Sequence, residues 1–276
     1  MRVTLWGTRG SVARSGLDTV RYGGDTSVVE VEAGDGTKLI LDGGSALMRV
    51  TPGLASSSKR IDLLLTHLHM DHIQGLGFFY PLRDPDIETH IWGPVSTTTG
   101  LAERLARYLS PPLFPVRLRD LRSMHLHDVG PGSFAIGPFT VSADLVCHPG
   151  PTLGYRIEED GASLAYIPDH EPALGHRQFP ASPEWTSGFD LIRGVDLLIH
   201  DAQYTDEEYA GRVGWGHSTL RHAVDLAAQA EVATLVTFHH DPEHSDAALD
   251  GLLHDVLLEE PPLELVPGRA GAAFEL

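Results

Sequence analysis

The 276 residues are 42% hydrophobic, enough for a packed core, and carry a formal charge of −18 from 20 Lys and Arg against 38 Asp and Glu. That balance argues against broad binding to nucleic acid or anionic membrane, which needs a basic patch, but allows a small anionic substrate where metal ions reverse the local field. The one cysteine, Cys147, permits no intramolecular disulfide. With no signal-peptide pattern and no apolar run approaching ~18 residues, the expectation is a soluble, cytoplasmic chain forming a single domain over 1–276.

Residues 1–6 alternate as a strand does, and GTRGSVARSG then breaks the pattern. TSVVEVEAG (26–34) and TKLILDGG (37–44) read as strands around a GDG turn. RIDLLLTH is a buried strand. IQGLGFFYPL reads as a helix ending near Pro81, and ETHIWGP as a short strand. TGLAERLARYL (99–109) is helical, with Leu101, Leu105, Ala106 and Leu109 on one face. MHLHDVG reads as a strand edge. FTVSADLVCH, LGYRIEED, ASLAYIPD and VDLLIHDAQY are strands. STLRHAVDLAAQAE (218–231) is a helix, ATLVTFHH the strand after it, and a last helix lies near 246–259. GAAFEL closes the chain as an edge strand. Hairpins early in the chain and alternating strands and helices later predict an α/β fold, two sheets sandwiched by helices.

Chemistry concentrates at strand ends. LLLTH, DLVCH, LAYIPD and LVTFH each end in His or Asp, and strand ends at one sheet rim are a rigid place to converge side chains. In LLLTHLHMDHIQGLG, His67 and His69 point to one side of an extended backbone and can ligate one ion. Asp71 and His72 follow as the chain leaves the strand and can serve a second. With His148, Asp169 and His239 there are seven metal-capable side chains, enough for two ions. A lone histidine or aspartate at a strand end is more often an ordinary structural residue; the H-x-H-x-D-H cluster is not easily read that way, because unpaired ionisable groups at a buried rim are costly.

H-x-H-x-D-H, then a lone His, a lone Asp and a last His in this order, resembles the metallo-β-lactamase fold superfamily. The resemblance runs from Asp42 in LILDGG to His239. It implies an αβ/βα four-layer sandwich with a dinuclear site at the sheet rim. It implies His67, His69 and His148 on one ion, Asp71, His72 and His239 on the other, and Asp169 bridging. The ions implied are zinc, with manganese, iron or nickel as alternatives. Asp42 matches the first-motif aspartate and is expected to orient a ligand, or else to serve only the turn before Gly43. His239 and His240 are adjacent and point opposite ways, so one faces the metals; position in the family pattern favours His239.

LIHDAQY and GWGHSTL resemble two motifs of the ribonuclease Z branch, with Asp201 in place of that branch's glutamate. The resemblance gives His217 the proton at the leaving oxygen and Asp201 the orientation of His217; a structural histidine at a helix cap is the plain alternative. Ser218 and Thr219 can cap the helix beginning there. Ribonuclease Z carries a tRNA-clasping arm in the interval that here spans only His148 to Asp169. With the acidic charge, this argues against tRNA, and no evidence points to DNA.

The expectation is a dinuclear metal-dependent phosphodiesterase acting through a metal-bridging hydroxide, with Asp71, His217 and Asp201 in the catalytic machinery. Cyclic nucleotides, short RNA or other small phosphodiesters are its substrates in this reading, and a homodimer is implied by resemblance alone. The same superfamily holds carboxyl-ester and lactone hydrolases and di-iron redox or sensor proteins; the last commonly carry a glutamate where His69 stands. Arg9 and Arg21 lie in glycine-rich loops from which they can meet a phosphate, a solvated loop being the simpler reading. Tyr155 and Arg156 are either substrate-facing or sheet residues. His170, His176 and His244 read as outer-shell or surface residues.

Overall fold

The computed structural model describes residues 1–50, 59–121, 123–176, 179–180 and 182–276. The first sheet takes β1 (Arg2–Gly7), β2 (Val28–Glu32), β3 (Lys38–Leu41), β4 (Arg60–Leu64), β5 (Glu88–Pro94) and β6 (Met124–Val129) in chain order, with β14 (Ala273–Glu275) added beside β1. The second runs from β7 (Gly132–Ile136) through β8 (Phe139–Leu145), β9 (Leu153–Glu159), β10 (Ala162–Ile167), β11 (Leu197–Asp201) and β12 (Thr234–Phe238) to β13 (Glu264–Pro267). Each sheet begins as an antiparallel meander and continues with parallel strands. The two halves of the chain thus repeat one plan.

Three apolar layers separate four layers of structure. Val29, Leu41, Tyr155, Tyr166 and Phe238 belong to the core between the sheets. The first sheet packs its other face, through Ile40, Leu63 and Ile91, on Leu101, Leu105 and Leu109 in and just beyond α2 (Leu101–Ala106). The second packs Leu198 and Leu235 on α5 (Leu220–Gln229) and α6 (Asp246–Leu257). Because the central strands are covered on both faces, they read as apolar runs and not as alternation: KLIL and TLVTF are buried beyond their first residue. The helices show the complementary 3.6-residue stripe, as in Leu249, Leu253 and Val256 of α6. This is the expected αβ/βα sandwich.

Several local expectations need correction. IQGLGFFYPL is not one helix. A single turn, α1 (Met70–Ile73), starts earlier and takes in Asp71 and His72, and two 3₁₀ turns follow at Leu76–Phe78 and Tyr80–Arg83. Gly75 and Gly77 pack against Leu47 and Phe114, and Pro81 can donate no backbone bond. β7 and β13 were not anticipated; they form edges of the second sheet and are too exposed to show an apolar run. α3 (Phe189–Ile192) and α4 (Asp206–Tyr209) are single turns below the length that periodicity resolves. Thr219, not Ser218, caps α5, accepting from the His222 amide. Among the described residues no helix is long and apolar enough to cross a membrane.

Arg9 is neither solvated nor free to meet a phosphate. It is fully buried, donating from Nε to Gly23 O (2.9 Å) and from Nη1 to Asp241 O (2.9 Å) and His244 O (2.7 Å). It ties the loop after β1 to the loop after β12. Arg21 is exposed, but it pairs with Asp250 at 2.6 Å. Removing Arg9 leaves buried carbonyls without donors. Arg9→Ala is expected to cost about 3 kcal/mol in urea unfolding, against roughly 0.5 kcal/mol or less for exposed Arg2→Ala.

Candidate metal centre

The strand ends that carry the motifs lie at one rim. His67 and His69 follow β4, and α1 then turns Asp71 and His72 back toward them. His148 follows β8, Asp169 follows β10, and His239 follows β12. His67, His69 and His148 bring ligand atoms within 4.8 Å of one another, as do Asp71, His72, Asp169 and His239. Asp169 touches both groups. Its Oδ2 lies 3.7 Å from Nε2 of His67 and of His148 and 3.3 Å from that of His239, and its Oδ1 lies 3.0 Å from His72 Nε2.

The side chains behind the rim decide which nitrogens face inward. Nδ1 of His72 donates to Asp42 Oδ2 (2.8 Å), Nδ1 of His148 to Gly216 O (2.8 Å), and Nδ1 of His239 to Gln203 Oε1 (2.8 Å). The Thr66 hydroxyl donates to Asp42 and accepts from His67 Nδ1 at 3.1 Å. These four imidazoles therefore aim Nε2 inward, where that of His239 also lies 3.1 Å from Asp71 Oδ2. His69 instead presents Nδ1, 3.1 Å from His148 Nε2. Such outer hydrogen bonds are what orients histidine around a metal.

The local backbone is built for close approach. Asp42 and His239 hold φ of 59° and 57°, a left-handed region uncommon for such residues. A Cβ on Gly10 would lie 2.3 Å from His239 Nδ1, and one on Gly216 2.3 Å from His148 Nδ1. The Ser11 amide donates to Asp71 Oδ2 at 2.7 Å. Asp42 is more than a turn residue: fully buried, it also accepts from the Thr66 amide and the Tyr166 hydroxyl.

The electrostatics calls for cations. Asp42, Asp71, Asp169 and Asp201 are all buried, and their ion-pair contacts among the described residues are with histidines alone. Burial would raise the Asp169 pKa, yet His239 and His72 hold it well below the usual carboxylate range. His72 is pushed well above its ordinary value, against burial, by Asp169, Asp71 and Asp42. Burial drives His67 far down and His148 to about 4. His67 Nε2 is buried with no hydrogen-bond partner, and Asp169 Oδ1 makes no hydrogen bond despite its nearness to His72. Orphaned buried donors and acceptors are rare. Lone pairs converging on two adjacent points, among imidazoles and carboxylates, fit two divalent cations.

His217 sits beside this cluster. Its Nδ1 donates to Asp201 Oδ2 at 2.6 Å, its ring stacks on His239 at 4.9 Å, and Nδ1 is 3.9 Å from Asp169 Oδ2. Burial opposes its charge, but Asp201 raises its pKa to about 9. Asp201 is fixed by the Gln203 and Ser218 amides. Behind it, Glu171 accepts from Tyr209 Oη and from the Gly214 and Gly216 amides, pinning the loop that leads to His217.

Other expected residues lie elsewhere. His240 is fully buried on the far side of the strand end, donating to Gly268 O at 2.8 Å, with its pKa pushed down by burial to about 3. Tyr155 and Arg156 are not at the site: Tyr155 is in the inter-sheet core with its hydroxyl on Leu65 O, and Arg156 donates to Leu191 O and Arg193 O. His170 is buried, between His200 and Ser187; His244 meets Glu208, and His176 is exposed. Gln203, Ser11 and Glu171 were not anticipated. Only Gln203 had a signal, its place two residues after Asp201.

Comparison with known proteins agrees with this architecture. A ribonuclease Z of Haloarcula marismortui is 23% identical over 318 aligned positions covering 96% of each chain. The metallo-beta-lactamase fold protein YhfI from Bacillus subtilis superposes with a TM-score of 0.71 over 99% of both chains at 19% identity. Zn(2+)-bound PqqB from Methylobacterium extorquens does so at 0.70 over 100% of both, at 17%. The model of the beta-lactamase superfamily domain matches residues 37–240, a span that takes in both groups of converging ligands, and the chain is a member of that superfamily.

Proposed function

We propose that this chain is a metal-dependent phosphodiesterase working with two divalent cations, zinc by the chemistry of its donors. The observation that carries the reading is His217, held by Asp201 at 2.6 Å and stacked against the ligand cluster. A metal site alone would serve many reactions; a protonated imidazole beside it suits a reaction with a poor oxygen leaving group. Relatives named ribonuclease Z support the same class.

In this reading His67, His69 and His148 would hold one cation and Asp71, His72 and His239 the other, with Asp169 in reach of both groups. Bound there, the cations would supply a nucleophile from water at neutral pH and offset charge on the phosphoryl oxygens. The chain does the rest. Asp201 keeps the Nδ1 proton of His217 in place, so that Nε2 is the atom that delivers a proton to the departing oxygen. Thr66, Asp42, Gln203 and the Gly216 carbonyl keep the ligand imidazoles in one tautomer. The His148–Asp169 interval contains β9 and β10 and little else, which favours small phosphodiesters over tRNA.

Three outcomes test this. Purified protein should hold about two metal equivalents and hydrolyse bis-p-nitrophenyl phosphate, and His217→Ala should lower kcat about 10²- to 10⁴-fold with the metals retained. Metal retention without phosphodiester turnover would instead point to an ester or lactone substrate. His239→Ala should lower the bound metal toward about one equivalent, whereas His240→Ala should keep about two, read by mass spectrometry. Asp201→Asn removes the charge that raises His217. A general acid is lost as pH rises through its pKa, so the basic limb of the kcat profile should move to lower pH.

A further inference from the structure

Beside the ligand cluster lies a cavity of about 340 Å³ with His67 and His69 on its floor. Its lining also takes Tyr108 and Leu113, from the chain beyond α2, and the turn Pro149–Pro151. The Tyr108 ring is held by its hydroxyl, which donates to Gln74 O at 2.7 Å, and by Phe114 at 6.0 Å. A fixed aromatic ring in one lining with two prolines is a place for a flat ring to stack. Among the described residues no carboxylate lines the cavity, which in a chain of charge −18 is a marked local reversal.

Two arginines reach it from successive turns, and they differ. Arg104 is spoken for: its guanidinium donates to Pro94 O and lies 3.6 Å from Asp128, anchoring α2 to the ends of β5 and β6. Arg107 is exposed and makes no ion pair among the described residues. A guanidinium at the mouth of an acid-free cavity matches the fork geometry of a phosphate.

We propose that this cavity binds one nucleoside of the substrate and that Arg107 takes a second phosphate beyond it. The substrate class is then a nucleotide with two phosphates flanking one nucleoside, as in a short oligonucleotide, and not a cyclic mononucleotide. The inference rests on the phosphodiesterase reading of the same site.

Thymidine 3′,5′-bisphosphate is a suitable probe because it carries both phosphates whichever end meets the cluster. Its affinity for the zinc-loaded protein is measured by calorimetry beside those of thymidine 3′-monophosphate and 5′-monophosphate. The bisphosphate should bind about tenfold more tightly than either. Arg107→Glu should abolish that advantage, and Arg107→Lys should retain part of it. Equal binding of all three nucleotides by the unaltered protein, or an advantage that survives in Arg107→Glu, overturns the inference. Turnover of bis-p-nitrophenyl phosphate by the unaltered protein reports separately on the phosphodiesterase reading. Its absence would strike that reading while the binding comparison still judged the cavity.

Discussion

Four buried carboxylates without a lysine or arginine among them are the constraint around which this molecule is arranged. Unpaired buried charge is costly, and a fold keeps it only where something compensates. Here Asp42 and Asp201 spend their charge on His72 and His217, while Asp71 and Asp169 point at the converging imidazoles. The rest follows from holding these groups in register. Both sheets end their parallel strands at one rim, Gly10 and Gly216 let histidine rings approach the backbone, and Arg9 clamps the loops around His239.

The same economy separates the two functions of histidine in the site. Four rings turn Nε2 inward because Nδ1 is occupied by a carboxylate, an amide oxygen, a carbonyl or a hydroxyl. His217 is held by a carboxylate too, but it stands outside the inner groups and keeps a proton by virtue of Asp201. One residue type thus turns a ligand nitrogen inward in five places, counting Nδ1 of His69, and carries a proton in a sixth. His72 and His217 both rest Nδ1 on a carboxylate, so the difference is one of place: His72 Nε2 faces Asp169 and Asp71, while His217 is stacked beside the cluster on His239.

Much of this was legible in the residues. The apolar runs LILD, LLLTH and LVTFH announce strands covered on both faces, and their terminal His or Asp announces a rim. The four-layer sandwich followed from hairpins giving way to alternating strands and helices. Less legible were β7 and β13, because an edge strand buries too little to leave a pattern. The breakup of residues 70–83 into short turns depends on contacts from Leu47 and Phe114, distant in sequence. Arg9 looked like a solvated loop residue able to meet a phosphate because its environment is made by residues 241–244, more than 230 positions away. Gln203 and Glu171 are polar residues whose partners appear only once the loops are assembled.

The repeated plan of the two sheets has one more consequence. His67, His69, Asp71 and His72 come from the first half of the chain, and His148, Asp169 and His239 from the second. An ion held across that seam cross-links segments far apart in sequence, such as residues 72 and 239, and closes a loop spanning most of the polypeptide. With Cys147 alone, the chain has no covalent means of doing this. Metal occupancy would then be part of folding stability itself: the reagent that performs the reaction would also be the rivet between the halves, and a protein stripped of it would lose cohesion along with activity.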